Sequence, residues 1–136
     1  MAEIDFQNLP STTTPLNASN MNQLQSVIDS GSNTYGSYMK FKDGTAIQWG
    51  SYSYSNVAIT NRYGNLYYAL PTDHITLPIA FINNSYNVQY LLSGSIVGGI
   101  QSNSLKTSYF TTRVFCGNTV SEANYSVNWL AIGKWK

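Results

Sequence analysis

Gly36-Ser-Tyr-Met-Lys-Phe-Lys-Asp-Gly-Thr-Ala-Ile-Gln-Trp-Gly50 reads as a single β-hairpin. Two short runs with aromatic and β-branched residues flank Asp43-Gly44, and Asp-Gly between such runs is the composition of a tight turn. The stretch predicts strands over 37–41 and 45–49. In the second strand, alternation puts Thr45, Ile47 and Trp49 on one face and Ala46 and Gln48 on the other.

Outward from the hairpin the same grammar continues. Strands are expected over 56–60, 65–70, 74–77, 86–92, 95–100, 107–115 and 125–132. Arg62-Tyr-Gly64, Ser93-Gly94, Gly98-Gly99 and Gly117-Asn118 punctuate them as turns. Short strands at regular spacing predict an all-β antiparallel sandwich rather than a parallel α/β fold. The last strand reaches the end of the sequence, so an ordered C-terminus is expected. By alternation Trp49 lines up with Ile47, and Trp129 with Val127 and Ala131. Together with Phe81 these are expected in the core. Trp135, between Lys134 and Lys136, is not assigned.

Upstream of the hairpin the pattern changes. Residues 1–16 read as an extended arm, because Pro10 and Pro15 flank Ser-Thr-Thr-Thr. A helix of ~10 residues is expected next, capped by Asn17 or Ser19 and stopped by Gly31-Ser-Asn33. Met21, Leu24 and Ile28 form its apolar stripe. Alone such a helix is marginal, so the stripe needs a partner. It docks either on the β domain or on two further copies at a trimer neck, where the spacing is that of one heptad. The domain division expected is 1–33 for attachment and trimerisation, and 35–136 for the β-sandwich head.

Composition narrows the function. The chain has 136 residues, enough to bury a core as one domain. Charged residues are 10%, far below the usual quarter, while Tyr occurs 11 times. Few charges with many Tyr, Asn, Ser and Gly suit an adaptable recognition surface, and suit pleated strands equally well. The formal net charge is +1 with no basic run, so nucleic acid is not an expected partner. No apolar run is long enough to span a membrane as a helix. The sequence begins without a basic and then apolar leader, which predicts synthesis in a bacterial cytoplasm.

Catalytic chemistry finds little to work with. Glycan hydrolysis needs two carboxylates, and in the expected head only Asp73 and Glu122 lie outside the hairpin turn. Nothing in the sequence brings them together. Asp73-His74 lacks the Gly-x-Ser-x-Gly elbow of a serine hydrolase and reads as a loop leading into a strand. One His and one Cys predict no zinc site and no cofactor. Cys116 is expected as a small residue at a strand end. The reading is therefore non-enzymatic.

Aromatic and amide groups remain. Sugars stack their apolar faces on Tyr and Trp and hydrogen-bond amides and hydroxyls. Three Tyr-containing stretches fit: Ser51-Tyr-Ser-Tyr-Ser-Asn56, Asn61-Arg-Tyr-Gly-Asn-Leu-Tyr-Tyr68 and Asn83-Asn-Ser-Tyr-Asn87. The candidate ligand-binding residues are Tyr52, Tyr54, Asn56, Arg62, Tyr63, Asn84 and Tyr86. Tyr52, Tyr54 and Tyr63 are expected to be exposed. Tyr67, Tyr68 and Tyr86 are read as core or trimer interface as readily as binding residues.

Four segments in order carry a family resemblance. They are 36–50, His74-Ile-Thr-Leu-Pro-Ile-Ala-Phe-Ile-Asn83, Thr107-Ser-Tyr-Phe-Thr-Thr-Arg-Val-Phe115 and Asn128-Trp-Leu-Ala-Ile-Gly-Lys-Trp-Lys136. Together they resemble the C-terminal, lectin-like (H-type-lectin-like) head domain of bacteriophage tail-fibre proteins, over residues 36 to 136. The stretch Leu9-Pro-Ser-Thr-Thr-Thr-Pro-Leu-Asn-Ala-Ser-Asn-Met-Asn22 resembles the N-terminal arm of phage structural proteins. The resemblance implies a virion appendage, a homotrimer, contact with other virion proteins through the arm, and attachment to a bacterial surface carbohydrate. A head-fibre, decoration or baseplate protein of the same fold, without a receptor role, is the alternative.

Overall fold

The computed structural model describes residues 27–136, and every regular element in that span is a strand. The strands are β1 (Val27–Asn33), β2 (Gly36–Phe41), β3 (Thr45–Ile59), β4 (Asn61–Tyr63), β5 (Leu66–Ala69), β6 (Ile75–Thr76), β7 (Asn87–Gly94), β8 (Gly98–Leu105), β9 (Tyr109–Cys116) and β10 (Val120–Lys134). They form two antiparallel sheets. Sheet A runs β1-β2-β3-β10-β7. Sheet B runs β4-β5-β9-β6, with β8 also paired to β9. The two sheets face each other as a sandwich.

The core follows from alternation in three strands. Along β9, Phe110, Thr112, Val114 and Cys116 are buried, while the residues between them are half-exposed. Along β10, Ala123, Tyr125, Val127, Trp129 and Ala131 point inward. β3 contributes Ala46, Gln48, Tyr54 and Ile59. Phe110 meets the Trp129 ring edge-on at 5.5 Å, joining the two sheets at the centre. Each large side chain buried this way contributes about 1.5–3 kcal/mol of transfer free energy.

The hairpin at 36–50 is present as expected. Gly44 has φ +91°, which a turn demands and glycine supplies. The Asp43 carboxylate accepts from the Thr45 amide at 2.8 Å. That backbone donor holds the Asp43 carboxyl below its ordinary range. The C-terminal residues dock here. Trp135 donates its backbone N–H to Gly44 at 2.9 Å and its indole N–H to the Phe41 carbonyl at 3.1 Å.

Three expectations are corrected. First, Ile28 is not part of a helix, and Gly31-Ser-Asn33 does not stop one. Val27–Asn33 is an edge strand paired with β2, and Ile28 is 45% exposed on it. A short Ser- and Gly-rich stretch makes a poor isolated helix but gains a ladder of hydrogen bonds beside β2. Met21 and Leu24 lie outside the described residues, as does the arm.

Second, the gap expected between strands 45–49 and 56–60 is absent. β3 runs unbroken from Thr45 to Ile59 along β10. Asn56 has φ 56° and marks a β-bulge: between Tyr125↔Tyr54 and Ala123↔Val57, β3 holds one residue more than β10. The Asn124 side chain accepts from the Asn56 amide at 3.0 Å, fixing the bulge. Third, Trp49 is 39% exposed on the outer face of sheet A. The inward face of that segment is the one with Ala46 and Gln48, both fully buried, and Gln48 meets loop 77–81. There Gln48 accepts from the Ile79 amide at 2.9 Å. Trp129 and Phe81 are buried as expected.

Tyr86 gives the fold an alkaline limit. Its hydroxyl donates toward the carbonyls of Lys106 (2.8 Å) and Tyr109 (3.1 Å), and burial pushes it up to about 12. Burial, reinforced by neighbouring Tyr54, also pushes Tyr125 upward. An unfolded tyrosine ionises near pH 10. Between the two values the unfolded chain holds fewer protons, so stability falls as pH rises. Urea midpoints should therefore be flat up to about pH 10 and decline from there to about pH 12. Tyr86→Phe should flatten part of that decline. An equal slope in the variant would remove Tyr86 from the account.

Candidate functional site

The face of sheet B turned away from the core carries the best-formed surface site. On β9 the outward residues alternate with the buried ones, placing Arg113 and Phe115 outside. β5 sets Tyr68 opposite Phe115. β4 and β5 pair Tyr63 with Leu66 across a tight hairpin. β8 sets Gly99 opposite Phe115 and Gln101 opposite Arg113. These side chains enclose a cleft of about 510 Å³ lined by Tyr63, Leu66, Tyr68, Gln101, Arg113 and Phe115.

Each wall has a local cause. The Phe115 ring lies over Gly99, where a Cβ would run into the ring. Glycine on β8 thus lets the aromatic ring settle against the sheet. The Arg113 guanidinium carbon sits 5.3 Å from the centroid of Tyr68, a cation–π distance. Its Nε is enclosed, with no hydrogen-bond partner among the described residues. Tyr63, 78% exposed, stands at the rim, and Leu66 beside it is 43% exposed. Arg62 is also exposed, and its Nε donates to the Gly64 carbonyl at 3.1 Å, bracing the β4–β5 turn that presents Tyr63.

A second cleft, also about 510 Å³, lies at the β3 bulge. Ser53–Ala58, Asn61 and 69–73 line it. Its walls are mostly hydroxyl, amide and backbone groups, and its one aromatic residue, Tyr54, is buried by its ring. Nearby, Tyr52 is raised above the ordinary phenol value by burial first and by the Asp73 carboxylate second. This cleft offers hydrogen bonds but no open aromatic face.

The seven residues singled out in the sequence are thus scattered. Tyr63 lines the sheet B cleft and Arg62 supports it. Tyr54 and Asn56 line the bulge cleft, but Tyr54 is only 3% exposed. The expectation of an exposed Tyr54 is therefore corrected: it stacks on Tyr125 at 5.0 Å in the core, and its hydroxyl reaches the Asp73 carbonyl at 3.3 Å. Tyr52 is half-buried with its ring 4.7 Å from Tyr54. Tyr86 is 4% exposed and belongs to the core, stacked on Phe81. Asn84 is exposed in the 82–85 loop and lines neither cleft. Tyr68, left open between core, interface and binding in the sequence, lines the cleft, whereas Gln101, Arg113 and Phe115 were not singled out as binding residues. The available signal was an Arg at an outward position of the alternating strand 107–115.

Asp73 borders the bulge cleft, whereas Glu122, on β10, lines neither. His74 is exposed and packs its ring against Tyr109 at 4.5 Å. Cys116 is a buried free thiol at the end of β9, donating to the Asn118 carbonyl. Among the described residues no group of three or more His, Cys, Asp or Glu is placed to hold a metal ion.

Residues 40–134 match the family model for the C-terminal domain of gp53-like tail-fibre proteins. No curated protein matches the chain. Among solved structures, a P. aeruginosa R1 pyocin fibre comprising C-terminal residues 323–701 superposes with a TM-score of 0.50 at 18% identity. The match covers 88% of this chain and 32% of that one, so the chain spans about a third of that fibre segment. An N-truncated R1-type pyocin tail fibre superposes with a TM-score of 0.51 at 18% identity, covering 86% of this chain and 96% of that one. At that identity the likeness is one of fold.

The two tyrosines at the extremes of exposure separate site from scaffold. Tyr63→Ala should change unfolding free energy by no more than about 0.5 kcal/mol, as for an exposed position. Tyr54→Ala should cost about 3–5 kcal/mol, as for a buried ring. Chemical denaturation of the two variants checks the contrast, and equal losses would contradict the placement of either ring.

Proposed function

The chain belongs to the gp53-like tail-fibre C-terminal domain family, and we propose that it is a phage fibre head that attaches, without catalysis, to carbohydrate on a bacterial surface. The observation that carries the proposal is the sheet B cleft. Tyr63, Tyr68 and Phe115 offer ring surface to the apolar face of a sugar, and Gln101 and Arg113 offer hydrogen bonds to its oxygens. The cleft lies on rigid strands rather than on loops, so little ordering entropy is lost on binding.

The opposite side of the sandwich supports a homotrimer. On the outer face of sheet A, Trp49 stands opposite Leu130 and Ile47 opposite Ile132. Leu91 on β7, 66% exposed, stands diagonal to Leu130, with Asn128 directly opposite it. Exposed apolar residues grouped on one face in this way mark an association surface, and we assign it to neighbouring copies of the same chain. Three clefts held rigidly raise avidity where single sugar sites are weak. The arm upstream of β1 would then serve to join the fibre to other virion proteins.

Two measurements test this. Fluorescently labelled protein should bind host cells saturably, and Tyr63→Ala/Phe115→Ala should weaken binding at least tenfold, which corresponds to about 1.4 kcal/mol. Unchanged binding by the double variant would remove the cleft. No binding by folded protein would shift the role to a head-fibre or decoration protein. Separately, light scattering should give a trimer for the full chain and a monomer for Trp49→Glu/Leu130→Glu. A monomeric parent would end the trimer proposal.

A further inference from the structure

Resting on the carbohydrate-binding role just proposed, the sheet B cleft carries a finer indication of which carbohydrate. Its only charged lining residue is Arg113, which is half-buried in the wall. A charge in that position keeps part of its hydration, and its terminal nitrogens remain open to an acceptor that enters the cleft. Among the described residues no carboxylate pairs with Arg113. Its Nε is enclosed and has no hydrogen-bond partner there. What it has is the Tyr68 ring at 5.3 Å, which orients the guanidinium but supplies no acceptor.

The neighbours do not provide one either. Phe115, Leu66 and Tyr63 are the apolar and rim walls, and Gln101 is the residue directly opposite Arg113 on β8. The cleft therefore combines stacking surface for a ring, a neutral amide, and a planar cation left without a protein acceptor. Guanidinium groups match carboxylate and phosphate oxygens with two parallel hydrogen bonds, which a lysine ammonium cannot do. A neutral sugar would fill the aromatic part of the cleft and leave the cation unanswered.

We propose that the cleft takes an anionic glycan, with a carboxylate or phosphate group of the ligand seated on Arg113 and the adjoining sugar ring stacked on Phe115 and Tyr63. The shared chemistry is a sugar bearing an oxyanion. A uronic-acid residue and a phosphodiester-linked sugar are its two sources.

The test is an array of bacterial oligosaccharides with three arms: neutral, uronate-bearing and phosphate-bearing. It is probed with the labelled full chain and with Arg113→Gln, Arg113→Lys and Phe115→Ala. Binding is expected in one of the two anionic arms, which also identifies the source, and it should fall as salt rises. Arg113→Gln should reduce that binding at least tenfold, with an unchanged thermal midpoint. Arg113→Lys should recover only part of it, since the charge stays but the fork is lost. Phe115→Ala should reduce it as well. If the bound glycans are neutral and Arg113→Gln leaves them bound, the anionic proposal is overturned while carbohydrate attachment stands. If no arm is bound by the parent protein, both are overturned.

Discussion

The pairing of β3 with β10 is the constraint on which everything else in this sandwich depends. These are the two longest strands, and they run antiparallel along almost their full length. β10 is an interior strand of sheet A, so it satisfies β3 on one edge and β7 on the other. Its inward side chains form much of the core. Register on a half-buried sheet cannot slip by one residue without turning that core outward. The bulge at Asn56 is where this constraint is relaxed. One additional residue bends β3, and the chain passes beyond Ile59 into sheet B.

The two outer faces then diverge because their strands differ in composition. Sheet A presents Ile47, Trp49, Leu130 and Ile132 as cross-strand neighbours. Sheet B presents rings interrupted by a guanidinium and an amide. The core between them is shared, so a substitution on one outer face need not disturb the other. The surfaces proposed for self-association and for ligand contact are in this way independent of each other.

Much of the architecture is legible in the sequence, and the failures have physical reasons. Asp43-Gly44 between two alternating runs announces its hairpin, since only a few residues tolerate that turn. Strand 107–115 is equally plain, because Phe110, Thr112 and Val114 recur with period two. The 51–56 stretch misleads: Ser and Tyr alternate there, and Ser beside Tyr suits a loop as well as a strand with one wet face. Tyr54 is inward because β3 continues its pleat from Ala46 and Gln48, which depends on a partner strand far along the chain. Trp49 misleads for the converse reason. Its face was assigned by apolarity, while Ala46 and Gln48 take the inward positions, Gln48 against loop 77–81. The sheet B cleft is assembled from four strands, so the sequence offered the β4–β5 part, the stretch Asn61–Tyr68, but not Gln101, Arg113 and Phe115, which β8 and β9 bring beside it.

The position of β10 also bears on how the protein comes into being. Of all the strands described here it is the last to leave a ribosome, yet it lies between β3 and β7 inside sheet A. Until it arrives, β3 and β7 each present an unsatisfied edge, and the core lacks Ala123, Tyr125, Val127, Trp129 and Ala131. Such edges pair readily with other chains. The growing polypeptide therefore passes through a stage in which its neighbours on the same polysome are competing partners. The tie between Trp135 and the β2–β3 hairpin follows at once, because residues just past β10 bond to a turn that left the ribosome well before it.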